Sequence, residues 1–138
     1  MSNTIVTRKE IKSSHRIKHT ANLFGIRFPV NIEPAIYSIA SNIAAEYDGA
    51  YWEFYSLSNG GFYMAPSLTK LYSVSCVNGF EGVLSADALG ITACLYAYSH
   101  LSFSSNAVFA EMCANHYHWL REFMLKHKEA SVILAAID

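Results

Sequence analysis

Residues 51–66 read YWEFYSLSNGGFYMAP, and this stretch decides the class of fold. In its first half, side chains alternate between two faces, with Trp52 and Phe54 on one of them, which is typical of a half-buried strand. The triplet NGG at residues 59–61 follows, and Asn and Gly tolerate the positive backbone φ angles of a tight reversal. The stretch therefore predicts a hairpin whose second strand ends at Pro66.

A second hairpin is predicted directly downstream. Apolar side chains alternate with serines over residues 71–77, the dipeptide Asn78-Gly79 suits a tight turn, and a short fourth strand follows over residues 81–84. Sequential strands joined by short turns usually pair with their neighbours in an antiparallel meander. We therefore expect one four-stranded antiparallel sheet.

Helical spacing flanks the strands on both sides. Before them, apolar side chains recur every three or four positions from Pro34 to Tyr47. After them, Ser85 and Asn106 are suitable N-caps for two helices, and residues 129–137 suit a short third helix. The sequence thus predicts an α+β fold: a four-stranded meander with one helix before it and two or three helices after it.

The first 21 residues differ from the rest and are expected to form a basic, mobile arm ahead of a single domain at residues 22–138. Before Thr20, five Lys and Arg side chains outnumber the single acid Glu10, which leaves an excess of four positive charges. Apolar side chains do not recur there at a regular spacing. Such an arm could contact nucleic-acid phosphates. The candidate side chains are Arg8, Lys9, Lys12, Arg16 and Lys18.

The charge balance excludes imitation of DNA. The chain has eleven acidic residues and ten Lys and Arg residues, so its formal net charge is -1. Because duplex DNA carries about one negative charge per 1.7 Å, a mimic of ten base pairs needs on the order of 20 uncompensated carboxylates. The body is only mildly acidic, since residues 31–120 contain seven acids and one lysine.

No pattern in the sequence indicates catalysis, a cofactor or a metal ion. Phosphate-binding glycine loops and the serine-nucleophile motif are absent, and the three cysteines carry no nucleophile signature. His116 and His118 point to different faces of a helix, so we expect His116 to be a hydrogen-bonded, partly buried side chain and His118 a solvated one. The chain is expected to be non-enzymatic.

Compartment and membrane contact can also be predicted. Three widely spaced cysteines argue against a disulfide framework and favour a reducing, cytoplasmic setting. The longest uncharged run, residues 88–110, contains seven polar side chains that hydrocarbon would leave unsatisfied. We therefore expect no membrane span.

Three ordered motifs resemble the ArdB/KlcA antirestriction family. The first is residues 47–66, which read YDGAYWEFYSLSNGGFYMAP, and the second is residues 82–91, which read GVLSADALGI. The third combines His116-Tyr117, Leu120-Arg121, Glu129-Ala130 and the final residues Ala136-Ile137-Asp138. The resemblance extends over about residues 25–138 and leaves out the arm.

The resemblance implies a small α+β protein of plasmids, phages or integrated mobile elements. Such a protein protects incoming unmodified DNA by inhibiting the cleavage activity of host type I restriction enzymes, without imitating DNA. Its implied partner is the type I restriction complex or a host factor serving it. No catalytic residues are carried over.

Much of the motif content is structural, so the exposed side chains that remain are our candidates for partner binding. These candidates are Asp48, Tyr51, Glu53, Tyr55 and Asp87. The alternative function is that of a nucleic-acid-binding accessory protein of a mobile element that uses the basic arm. Phosphate binding would weaken steeply with salt, whereas inhibition through protein contacts would not depend on the arm.

Overall fold

The computed structural model describes residues 5–138, which fold into five strands and five α-helices. The strands are β1 (Arg8–Ile11), β2 (Trp52–Leu57), β3 (Phe62–Pro66), β4 (Leu71–Ser75) and β5 (Glu81–Ser85). The helices are α1 (Arg16–Phe24), α2 (Glu33–Ile43), α3 (Ala86–Leu101), α4 (Ala107–Met124) and α5 (Ala130–Ile137). The α+β class is confirmed.

The strands form two antiparallel sheets, so the single four-stranded meander is only approximately right. One sheet has the order β1-β2-β3, and β4 pairs with β5 alone. The outer edge of β3 is occupied by α3, because the Tyr98 hydroxyl donates to the Phe62 carbonyl at 2.9 Å and the Cys94 thiol to the Met64 carbonyl at 3.6 Å. These carbonyls are therefore not available to β4.

The segment expected to be a mobile arm is built into the fold over the residues that the structure describes. Strand β1 pairs with β2 from Arg8 opposite Leu57 to Ile11 opposite Phe54, and Ile11 is buried. Helix α1 follows after a single 3-10 turn. Residues 22–31 are also mostly helical, since α1 runs to Phe24 and a π-helical turn occupies Phe28–Ile32.

Helix α3 is the centre of the molecule. Eleven of its sixteen residues are buried, and it packs against β3, α2, α4 and α5. A helix that is apolar on all sides is expected to be buried on all sides. The apolar character of α3 on every side therefore matches its central position.

The local start and turn signals are confirmed. The Ser85 hydroxyl accepts a hydrogen bond from the Ala88 amide at 3.1 Å, and the Asn106 side chain accepts one from the Phe109 amide at 3.0 Å. Each satisfies a backbone donor that a helix start leaves without a partner. In the two hairpins, Gly60 and Gly79 have φ angles of +99° and +90°, which side chains other than glycine rarely adopt.

Candidate functional site

Two arginines from the N-terminal segment contact four of the five residues that the sequence proposed for partner binding. Arg8 lies on β1 and Arg16 is the first residue of α1, so both lie close to β2. The first group, which we call the Arg8 cluster, comprises Arg8, Tyr55, Tyr63, Asp87 and His127. The second, the Arg16 cluster, comprises Arg16, Tyr51, Glu53 and Phe54.

In the Arg8 cluster, one guanidinium nitrogen serves two partners. Arg8 Nη1 lies 2.8 Å from Asp87 Oδ1 and 2.6 Å from the Tyr63 hydroxyl. The Tyr63 hydroxyl also donates to Asp87 Oδ1 at 2.9 Å, and the Arg8 guanidinium carbon lies 4.3 Å from the centre of the Tyr55 ring. The two candidate residues Tyr55 and Asp87 are therefore brought together by a cation that had been assigned to the competing function.

His127 completes the surroundings of the Asp87 carboxylate. Its Nε2 lies 2.8 Å from Asp87 Oδ2, and its Nδ1 accepts the backbone N–H of Glu129 at 3.0 Å. Because Nδ1 is an acceptor, the ring proton of the neutral imidazole lies on Nε2 and is donated to Asp87. One carboxylate thus connects β1, β3 and the start of α3 with the link between α4 and α5.

The pKa of Asp87 is set by competing effects. Desolvation raises it, but the hydrogen bonds from His127 and Tyr63 and the charge of Arg8 together hold it below its usual value. The same burial, with the Asp87 charge, raises the pKa of the Tyr63 hydroxyl well above its usual range. Tyr63 is therefore a neutral donor and Asp87 an anion at neutral pH.

Ser85 joins the start of α3 to the residue before α5. The Ser85 hydroxyl donates to Glu129 Oε2 at 2.5 Å and accepts from the Ala88 amide, and the Ser85 amide donates to Glu129 Oε1 at 3.0 Å. The same side chain thus caps α3 and holds Glu129. These hydrogen bonds connect elements that are far apart in sequence.

The Arg16 cluster is looser. Arg16 Nη2 lies 3.6 Å from Glu53 Oε2, and the guanidinium carbon lies 4.2 Å from the Phe54 ring centre and 4.8 Å from that of Tyr51. The Tyr51 hydroxyl lies 3.0 Å from the Ser13 hydroxyl, although 57% of the residue is exposed. Stacking on two rings and the ion pair hold the first turn of α1 against β2.

The five candidate partner residues do not form one uniformly exposed surface. Glu53, Tyr55 and Asp87 are half-buried in the two clusters, whereas Asp48 and Tyr51 are exposed. Within residues 5–138, the Asp48 side chain makes no hydrogen bond or ion pair. Of the five basic candidates, Arg8 and Arg16 form the contacts described above, whereas Lys9, Lys12 and Lys18 are exposed.

Sequence reasoning missed Tyr63 and His127. Tyr63 is directly opposite Tyr55 across the β2-β3 ladder, and the two rings stack with centres 4.9 Å apart. That register was available from the hairpin, but the approach of Arg8 and Asp87 to the same hydroxyl was not. His127 lies 40 residues from Asp87 along the chain, so no local spacing indicates the pair.

Beside the Arg8 cluster is a cavity of about 520 Å³, which we call the Asp87 cavity. Arg8, Asp87 and His127 contribute to its lining, and Phe123 of α4 forms part of an apolar wall. The Phe123 ring stacks on Tyr63 with centres 5.6 Å apart. The cavity lining therefore combines charged groups with an aromatic ring.

His116 is more completely buried than expected, with 3% of its surface exposed. It is surrounded by the rings of Phe24, Tyr98 and Trp119, whose centres lie 4.4–5.5 Å from that of the imidazole. Its Nδ1 has no hydrogen-bond partner among the described residues, contrary to the expectation of a satisfied side chain. Desolvation lowers its pKa to about 4.

We expect His116 to make the protein sensitive to mild acid. The unfolded imidazole takes up a proton near pH 6.5 and the folded one near pH 4, so stability falls as the pH drops through this window, by about 3 kcal/mol. Urea unfolding between pH 7.5 and pH 4 measures the loss. In His116→Phe that part of the loss should vanish, while His118→Gln, an exposed control, should behave like the parent. An unchanged pH profile in His116→Phe would contradict the assignment.

Comparison with known proteins identifies the family. The family model described as "Antirestriction protein" matches residues 45–138. The chain belongs to the antirestriction protein family. The matched range contains all five candidate partner residues and His127 of this antirestriction protein, and begins after Arg8 and Arg16.

Two relatives extend the match to nearly the whole chain. An antirestriction protein KlcA of Escherichia coli is 38% identical over 135 residues, which are 96% of this chain and 95% of the relative. A second Escherichia coli KlcA is 41% identical over 108 residues, covering 77% of this chain and 74% of the relative. The likeness therefore includes most of the N-terminal segment.

A solved structure matches the antirestriction protein over 100% of both chains, with a TM-score of 0.89 and 38% identity. It comes from a study of the KlcA and ArdB proteins, which reports a novel fold and antirestriction activity against type I DNA restriction systems in vivo but not in vitro. The resemblance seen in the sequence motifs is thus confirmed at the level of family and fold.

Neither a metal site nor a membrane-spanning helix is found among residues 5–138. Among residues 5–138, no group of three or more His, Cys, Asp or Glu side chains is arranged to hold a metal ion. No helix in the same part of the chain has the length and apolar character needed to cross a membrane.

Proposed function

We propose that this protein protects unmodified incoming DNA by inhibiting a host type I restriction system, through protein contacts and not as an enzyme. The observation that carries the proposal is the full-length structural match, at a TM-score of 0.89 and 38% identity, to proteins with antirestriction activity against type I systems. Identity at this level over the whole chain supports a shared activity as well as a shared fold.

Electrostatics support inhibition without DNA mimicry. A mimic needs rows of uncompensated carboxylates, and this chain has a net charge of -1. Two of the candidate acids are also neutralised within the fold, because Asp87 pairs with Arg8 and Glu53 with Arg16. Their charges are balanced locally and cannot present a phosphate-like ladder.

The partner is the type I restriction complex or a host factor serving it. The activity of the KlcA and ArdB proteins in vivo but not in vitro supports a cellular component that purified assays lack. The contact surface is centred on Asp48 and Tyr51, since these two candidates remain exposed. An exposed tyrosine beside a free carboxylate is typical of the polar and aromatic anchors of protein interfaces.

The test of the activity is the plating efficiency of unmodified phage on cells with a type I restriction system. We expect the protein to raise it by orders of magnitude in the type I host and not in a host with a type II system. Soluble expression is confirmed in both hosts by immunoblot. An equal effect in the two hosts, or none in either, would overturn the proposal.

Asp48→Lys tests the contact surface. We expect at least a tenfold loss of protection, because about 1.4 kcal/mol of lost binding corresponds to a factor of ten. Its melting temperature should be unchanged, since the Asp48 side chain contacts no partner in the described part of the chain. Glu111→Lys is the matched control, as Glu111 is an exposed acid on α4. Full protection by Asp48→Lys would place the surface elsewhere.

The nucleic-acid alternative rests on the exposed lysines of the N-terminal segment, Lys9, Lys12 and Lys18. Deleting residues 1–20 would not test it, because the deletion removes β1 and part of α1. Replacing the three lysines by glutamine keeps the fold and removes the charges. Protection that survives this change supports protein contacts, and protection lost together with salt-sensitive DNA binding supports the alternative.

A further inference from the structure

The Asp87 cavity has a strong excess of positive charge in a protein that is close to neutral. Four of the ten Lys and Arg residues contribute to its lining, together with one carboxylate. The four cations are Arg8, Lys70, Lys126 and Lys128. They come from β1, from the loop before β4 and from the link between α4 and α5, so the fold brings together charges that are far apart in sequence.

The single carboxylate does not balance this charge. Asp87 is already occupied by Arg8 and by the N–H of His127. Lys70, Lys126 and Lys128 are exposed and form no ion pair with any of residues 5–138. Three like charges around one cavity repel one another, and a ligand with several negative charges relieves that repulsion.

Apolar side chains also line the cavity. They include Ile5, Val6, Leu68 and Phe123, and the Phe123 ring is held in place by stacking on Tyr63. A rigid aromatic wall suits a flat apolar ligand group. The volume of about 520 Å³ lies in the range of small-molecule sites.

We propose that the Asp87 cavity binds a nucleoside phosphate, with the phosphates at Lys70, Lys126 and Lys128 and the base against Phe123. Phosphate suits the cations of the lining, and a planar base suits the Phe123 ring. The nucleoside phosphate can be free in solution or the end of a single strand. The proposal concerns a ligand site and does not depend on the antirestriction activity.

Isothermal titration calorimetry with the full chain tests the proposal. The probes are ATP, inorganic pyrophosphate, adenosine and an octathymidylate strand. We expect ATP or the strand to bind with a Kd below 1 mM and adenosine to bind much more weakly. The ligand that binds more tightly identifies the source of the phosphate, and failure of both at millimolar concentration would overturn the site.

Two matched triple variants locate the binding. Lys70, Lys126 and Lys128 are replaced by glutamine in one, and Lys9, Lys12 and Lys18 in the other, so that both lose three exposed positive charges. We expect at least a tenfold rise in Kd for the first variant and less than a twofold change for the second. Equal weakening in both would show non-specific attraction and contradict the proposal.

Lys126 and Lys128 also lie just beyond the end of α4, where cations stabilise a helix terminus. A purely structural role predicts a lower melting temperature for the first variant with unchanged binding, which would overturn the proposal. Phe123→Leu provides a further readout. Affinity for ATP or the strand should fall while affinity for pyrophosphate stays the same, because only the base contacts the ring.

Discussion

Replacing Gly90 by alanine is expected to lower the free energy of unfolding by about 3 kcal/mol, at the upper end of what overpacking usually costs. A Cβ atom at this position would lie 2.4 Å from the Ala65 Cβ, 2.4 Å from the Met64 carbonyl oxygen and 2.5 Å from the Ala65 Cα. Two of these atoms belong to the backbone of β3, which cannot move aside without disturbing its ladder with β2. The clash exceeds the gain in helix propensity of about 1 kcal/mol.

Urea unfolding at pH 7.5 measures this effect, and Gly82→Ala is its matched control. The Cβ of that variant would meet only the ring of Phe80, at 2.6 Å from Cζ. Phe80 is half-buried and lies in a turn, so the ring can rotate away and we expect a change below about 1 kcal/mol. Equal stability losses in the two variants would show that α3 and β3 are not in the close contact described above.

Replacing Asp87 by asparagine is expected to destabilise the protein by about 2 kcal/mol at pH 7. The change keeps the shape of the side chain but removes the charge that Arg8 faces, and it disturbs the hydrogen bonds from Tyr63 and His127. Losing one member of a buried ion pair costs more, but 30% of the Asp87 side chain is exposed, which reduces the loss.

The pH dependence distinguishes this effect from a simple packing defect. The pKa of Asp87 is lower in the folded state, so its stabilisation is present above the unfolded pKa of about 4 and is lost as the pH falls through the folded value. The stability difference between the parent and Asp87→Asn should therefore shrink below pH 4. Asp48→Asn, which removes an exposed carboxylate, should change stability by less than 0.5 kcal/mol. A difference that persists in acid would contradict the role of the charge.

The same contacts change how the proposed interface can be tested. Reversing the charges of Asp48, Glu53 and Asp87 together would not be a clean test of that interface. Because Glu53 and Asp87 hold Arg16 and Arg8, the triple change would lower stability and activity at once. Only Asp48 separates recognition from folding.

The parts of the fold that the sequence predicted correctly depend on neighbouring residues. Turns at residues 59–61 and 78–79 and the caps Ser85 and Asn106 are set by the chemistry of three or four consecutive positions. Strand β1 was missed because its sequence, RKEI, has three charged residues in four. Its pairing depends on contacts with β2, about 45 residues away, and edge strands commonly carry charges.

For the candidate site, too, the local features were predicted and the long-range contacts were not. Alternation along β2 correctly placed Tyr51, Glu53 and Tyr55 on the face opposite Trp52 and Phe54. The charged groups that lie beside them could not be read from that pattern, since Arg8 meets Asp87 across 79 positions. The two competing interpretations, a partner-binding surface and a basic arm, therefore share two pairs of groups that neutralise each other in the folded chain, Asp87 with Arg8 and Glu53 with Arg16.

The position of α3 has a consequence for synthesis on the ribosome. The helix packs against β3 and α2, which are made before it, and against α4 and α5, which are made after it. A nascent chain that has reached residue 106 therefore exposes a long apolar surface until residues 107–137 leave the exit tunnel. During that interval the protein should be a chaperone client, and premature stop codons in α4 or α5 should yield aggregates instead of a smaller active fragment.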